Sequence, residues 1–180
     1  MQTDTPVLFI EINDLNYIFV VCVYDESQKL KIIEKILTPS EGVDRNKITN
    51  IDKASETIKK NIVAIEKKIN HVFKEVILII ENFDYSCINV SGFKKLNGSQ
   101  LLKENISYIL NSLKLSITEN EKQKTILHIF NSKNVLDGIN VENLPIGLFG
   151  DFYNHELTFF LIQDNDLKNI KKIFSKNHLN

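Results

Sequence analysis

Residues 50–80 read NIDKASETIKKNIVAIEKKINHVFKEVILII, and this stretch decides the class of fold. Ile51, Ala54, Ile58, Ile62, Ile65 and Ile69 recur at spacings of three and four, with Lys53, Glu56, Lys59, Lys60 and Lys67 on the opposite face. That pattern predicts an amphipathic helix of about five turns with a narrow aliphatic stripe, suited to lying on a sheet, and Asn50 is its expected N-cap. The run at 76–80 is almost wholly apolar, which predicts a strand buried on both faces and paired in parallel.

Upstream of the helix, three runs rich in β-branched and aromatic residues (7–12, 17–24 and 30–37) predict a three-stranded meander. The polar breaks Asn13-Asp14-Leu15-Asn16 and Asp25-Glu26-Ser27-Gln28 separate them, and Pro39 and Gly42 end the sheet segment. Downstream, residues 85–91 predict a strand ended by Gly92, and Asn97-Gly98-Ser99 predicts a turn and cap. A second helix then follows from Leu102, Ile106, Ile109, Leu110 and Leu113. Residues 125–135 and 152–162 predict two long strands around a Gly- and Pro-containing loop. Asp164 or Asn165 caps a last helix whose apolar face is Leu167, Ile170, Ile173 and Phe174. Lysines 168, 171, 172 and 176 crowd its later turns, as the helix dipole favours. The expected organisation is a strand–strand–strand–helix–strand unit over 1–83 and a strand–helix–strand–strand–helix unit over 84–176, the last helix packing on the sheet of the second.

Composition narrows the function. Of the 180 residues, 43% are hydrophobic and 25% charged, as in a globular protein, and the formal net charge is -1. Arg45 is the sole arginine, so neither charge nor bidentate donors favour nucleic acid as a partner. The start, residues 1–6, is polar, and no apolar run reaches the roughly 20 residues of a membrane span. Cys22 and Cys87 both fall in apolar strand-like runs and read as buried thiols of a reducing cytoplasm. His71, His128, His155 and His178 never come at metal-site spacing, so no metal ligand and no catalytic residue is assigned. His128 reads as a hydrogen-bonded structural residue within a strand.

The loops carry a family resemblance. Thr125-Ile126-Leu127-His128-Ile129, then Val135-Leu136-Asp137-Gly138, then Pro145-Ile146-Gly147-Leu148-Phe149-Gly150 resemble the "ILH", "V-D-G" and "P-x-G-L-x-G" stretches of the bacterial cell-division protein FtsA. Thr38-Pro39-Ser40-Glu41-Gly42-Val43 is similar to the family's "P-S-x-G-V" loop, and residues 48–69 to its "I-x-D-x-x-A-x-x-S-I" helix. The resemblance implies an α/β (α+β) chain: a partial actin-like, ribonuclease-H-like mixed sheet subdomain over 1–83, then the inserted strand–helix–strand–strand subdomain of FtsA. It also implies a division-site protein on the cytoplasmic face, either short or a fragment of a longer one. In the family the inserted subdomain takes part in self-association and contacts with other division proteins. Asp137, Gly138, Pro145, Gly147, Leu148, Phe149 and Gly150 are therefore the expected partner-binding residues. For Asp137 a plain turn role is the competing expectation, because Asp-Gly pairs turn chains everywhere.

The resemblance also implies ATP and magnesium in a cleft behind a D-I-G-[ST]-[ST]-K turn. The corresponding residues here are Glu11-Ile12-Asn13-Asp14-Leu15-Asn16. Glu11 keeps an acid, but Asn13 replaces the pliable glycine, Asp14 and Leu15 replace the hydroxyls, and Asn16 replaces the lysine. An Asp beside phosphate adds like charge, worth about 1 kcal/mol even in water. The family's second phosphate loop, adenosine pocket, FtsZ-binding region and membrane-docking C-terminal helix all correspond to later segments than these, and no GxxxxGK[ST] or GxGxxG loop occurs. The expectation is a degenerate site with no cofactor and no catalysis, membrane association at most indirect, and function through protein surfaces. An ATP-binding actin-like fragment (FtsA or a pilus-assembly relative) and a free-standing adaptor are the alternatives.

Overall fold

The computed structural model describes residues 5–80, 83–177 and 179. Residues 1–4 of the polar start and His178 lie outside them. The chain divides into two compact units, one holding the residues up to Asp84 together with those from Asn165 onward, the other Tyr85–Asp164.

In the first unit β1 (Val7–Ile12), β2 (Asn16–Tyr24) and β3 (Leu30–Pro39) form the expected antiparallel meander. A minimal hairpin of β4 (Val43–Asp44) and β5 (Lys47–Ile48) then leads into α1 (Ile51–Ile69). The Asn50 side chain accepts from the Lys53 N–H at 3.0 Å, satisfying one of the donors that a helix start leaves free. After α1 the chain returns as β6 (Ile77–Ile80), parallel to β1, and the sheet order is β3-β2-β1-β6. Leu8, Ile10 and Ile12, with Tyr17, Phe19 and Val21, point to the buried face. Ala54, Ile58, Ile62 and Ile65 of α1 supply the stripe that covers it. Burying each such aliphatic side chain contributes about 1.5–3 kcal/mol.

Two expectations are corrected here. The 76–80 strand pairs in parallel but is not buried on both faces. It is the sheet's edge, and Ile77 and Ile79 are 49% and 46% exposed. Their face also carries the exposed Leu30, Ile32 and Leu37 of β3, because directly paired residues share a face. Second, the last helix, α3 (Asp164–Ser175), packs in the first unit rather than on the second sheet. Its buried Ile170, Ile173 and Phe174 belong to the first core, Lys176 pairs with Asp52, and Asn177 Nδ2 donates to Ser55 O and Oγ at 3.3 and 3.2 Å. An amphipathic stripe states that a helix packs on something, without naming which sheet.

The second unit runs β7 (Tyr85–Lys95), α2 (Lys103–Asn120), β8 (Lys124–Leu136), β9 (Ile139–Val141) and β10 (Phe152–Gln163). Its sheet is antiparallel, order β7-β10-β8-β9, and the first and last strands lie side by side with Tyr85 opposite Ile162. α2 covers one face over Leu157, Phe159 and Leu161, with Ile88, Val90, Ile126 and Ile129 around them. Gly92 does not end β7 as expected. A Cβ there would lie 2.6 Å from Ile109 Cγ2, so the missing side chain is what lets α2 press against a strand that continues to Lys95. The turn at 97–99 forms, but α2 starts later, where Asn105 Oδ1 accepts from Leu102 N at 2.9 Å.

Candidate functional site

The residues expected to meet partners come together at one end of the second unit. Asp137 (φ 49°) and Gly138 (φ 81°) form the two-residue turn joining β8 to β9, both left-handed as a tight hairpin requires. Asp137 also does more than turn. One carboxylate oxygen accepts from the N–H groups of Asp151 and Phe152 at 2.8 and 2.7 Å, fixing the entry to β10. Gly150 is held close: a Cβ there would lie 2.7 Å from Leu136 Cδ1 and 2.9 Å from Asp137 Oδ2. The rest of the loop lies along residues 97–101 like a further strand. Gly147 N donates to Leu101 O at 2.8 Å, Leu101 N to Leu148 O at 2.9 Å, and Gly98 N to Gly150 O at 3.0 Å.

Pro145 is buried beneath this loop, whereas Leu148 and Phe149 are 53% and 68% exposed. Ile139, Leu144 and Ile146, from β9 and the same loop, are exposed as well. These apolar side chains thus stand outward on a backbone that hydrogen bonds hold in place.

The other predicted site, the β1–β2 turn, is closed on itself. Asn13 Oδ1 accepts from Leu15 N at 3.0 Å and Asn16 N at 2.9 Å, and Asn13 Nδ2 donates to Glu11 Oε1 at 2.9 Å. Ser40 Oγ donates to Asn13 O at 2.6 Å, and Asp14 accepts from Asn46 N. The amides that a phosphate turn would aim at an anion are thus taken by a side chain, and the acid is engaged by the same residue. Among the described residues no group of three or more His, Cys, Asp and Glu comes together to hold a metal ion. No helix among them is long and apolar enough to cross a membrane.

Two readings of single residues change. Cys22 is buried, and burial pushes its thiol up, but Cys87 is exposed on the face of the second sheet away from α2. His128 is exposed too, its ring 5.9 Å from Phe130, in an aromatic group with Phe160 and Tyr85. The buried histidine of this sheet is His155, whose Nε2 lies 3.1 Å from Asn131 Oδ1 while Nδ1 has no partner. Beside it Tyr153 OH donates to the buried Asn134 Oδ1 at 2.8 Å, and burial pushes the phenol up to about 12. The alternation Tyr153, His155, Leu157, Phe159 placed His155 inward and was the available signal.

Burial pushes the His155 imidazole below its usual value, because charging Nδ1 in an apolar site is unfavourable. The unfolded chain takes up this proton near pH ~6.5, the folded chain only lower. Stability is therefore full above about pH 6.5 and falls as the pH drops below it. Thermal melts at pH 7.5 and 5.5 should show that loss in the wild type and a smaller one in His155→Phe. Equal losses would assign the acid sensitivity elsewhere.

The mixed sheet β3-β2-β1-β6 with its crossover helix, and a second α/β unit between β6 and α3, make up an actin-like α/β fold. It aligns with a chain of the PilM-PilN type IV pilus biogenesis complex at a TM-score of 0.63 and 7% identity, over 96% of this chain and 45% of that one. In sequence it is similar to the cell division protein FtsA. The FtsA of Buchnera aphidicola subsp. Schizaphis graminum (strain Sg) is 27% identical over 148 residues, 82% of this chain and 35% of the relative. That of Buchnera aphidicola subsp. Acyrthosiphon pisum (strain APS) is 26% identical over 147 residues, again 82% and 35%. The resemblance read from the loops is thus found across most of the chain, which spans about a third of the length of these curated relatives. No family model matches it.

Proposed function

We propose that the chain is an FtsA-like cell-division protein that acts in assembling the division machinery through protein contacts and self-association, without binding or hydrolysing ATP. The similarity to FtsA supports the process. The observation that carries the mode of action is the loop that holds Leu148 and Phe149 outward on a hydrogen-bonded backbone. The self-closed β1–β2 turn supports the absence of a nucleotide. Division proteins of the cytoplasmic face of the septum are the proposed partners.

Pull-down of purified division proteins and, separately, of pilus-assembly proteins by the immobilised full chain tests this. Division proteins should be retained, and Leu148→Ser with Phe149→Ser should weaken that retention about 30-fold, the loss expected of exposed apolar anchors. Retention of pilus proteins alone, or full retention by the double variant, would overturn the assignment. Titration with magnesium ATP should give no saturable binding, and micromolar affinity would refute the closed-turn argument.

A further inference from the structure

We propose that β7 is an interaction edge whose occupant is β7 of a second copy, the two strands pairing antiparallel about a two-fold axis at Asn89. This deepens the self-association part of the reading above and rests on it.

β7 is the terminal strand of its sheet and 11 residues long, so one row of its backbone N–H and C=O groups faces away from β10. Long edges are normally guarded by proline, by charge or by brevity. β3, the other long edge, has Lys31, Glu34, Lys35 and Pro39, while β9 has only 3 residues and β6 only 4. From Tyr85 to Phe93 β7 has neither proline nor charge. Its outward side chains include two large aromatics, Tyr85 and Phe93, at 66% and 73% exposure.

The strand is complementary to itself in one register. Paired residues must share a face, so the two-fold axis has to pass through a residue position. Centred on Asn89, Tyr85 meets Phe93 of the second copy, Cys87 meets Ser91, and Lys94 meets Asp84, the residue leading into the strand. Within its own chain Asp84 already lies 3.4 Å from Lys47 Nζ and would be shared between the two lysines. Aromatic pairs and opposite charges directly across a ladder are both favourable. Centred on Ile88, Tyr85 would face Ser91, and centred on Val90 it would face Lys95. The Asn89 register alone matches both aromatics and both charges, and it generates an isologous, closed dimer.

The test uses the full chain. Sedimentation of the wild type at about 100 micromolar should show a dimer. Asn89→Asp sets two like charges on the axis, each beside the Glu156 carboxylate to which Asn89 Nδ2 now donates at 2.9 Å, and should raise the dissociation constant about fivefold, with the circular dichroism unchanged. In Cys87→Ser/Asn89→Cys, mild oxidation should give a covalent dimer on a non-reducing gel. The wild type should not crosslink, because Cys87 and its copy lie about 13 Å apart along the ladder. A monomeric wild type would sink self-association altogether. A wild-type dimer that Asn89→Asp leaves intact and that residue 89 cannot crosslink would sink only the β7 ladder. Crosslinking of the wild type through Cys87 would refute the register.

Discussion

Gly42→Ala should destabilise the first unit by roughly 3–4 kcal/mol and lower its Tm by more than about 10 °C. Gly42 has φ +79°, and a Cβ there would lie 2.2 Å from Asn50 O and 2.9 Å from Ala54 N. Its carbonyl accepts from Thr49 N at 2.8 Å and Asn50 N at 3.1 Å, while Asn50 O accepts from Ala54 N at 3.1 Å. The start of α1 is therefore seated on the bare Cα of this residue, and the neighbours that a methyl would strike are backbone, which cannot swing aside. Left-handed backbone alone costs alanine about 1–2 kcal/mol. Gly98 isolates that part, since its φ is +77° and a methyl added there would meet nothing within 4 Å. Gly98→Ala should cost only about 1–2 kcal/mol, and the excess at Gly42 measures the clash. Urea denaturation giving equal losses for the two would show that the helix start yields.

Phe159→Ala should cost about 3–5 kcal/mol, the range for emptying an aromatic site in a core. Phe159 is fully buried in the middle of β10, paired with Ile88 on one side and Ile129 on the other, within the group formed by Ile117, Leu157 and Leu161. β10 joins β7 to β8, so no neighbouring element can move in without breaking a ladder. Phe160, the next residue, points to the opposite face, where it is half-buried between Tyr85 and Phe130 with ring centroids 6.1 and 5.5 Å away. Phe160→Ala should cost about 1 kcal/mol. Denaturation of both variants checks the alternation as much as the core, because similar losses would mean that the far face is covered.

How far the sequence announces this structure depends on which physical signal a residue carries. α1 was legible because a six-residue aliphatic stripe at helical spacing has no other economical home, and Asn50 capped it as its chemistry suggests. The meander and the parallel return of β6 were legible for similar reasons. Burial of β6 was not, since an apolar run reads alike at the centre and at the edge of a sheet. Cys87 was misplaced because β7 carries apolar residues on both faces, so neighbours in sequence gave no direction. Gly92 was read as a breaker when it serves as clearance for Ile109, a contact from a helix that begins ten residues later or more. At the candidate sites, Asp137 showed its turn chemistry in sequence but not its hold on Asp151 and Phe152. Replacement of the glycine by Asn13 was visible. That its side chain would occupy the turn's own amides required coordinates, although Asx residues do this often.

Tyr85 and Ile162 stand opposite each other on adjoining strands, so the inserted unit departs from and rejoins its carrier through neighbouring doorposts about 5 Å apart. A module with such ends can be excised and its flanks spliced, or moved into another carrier, without stretching either chain. That makes Tyr85–Asp164 a cassette suited to recombinant grafting.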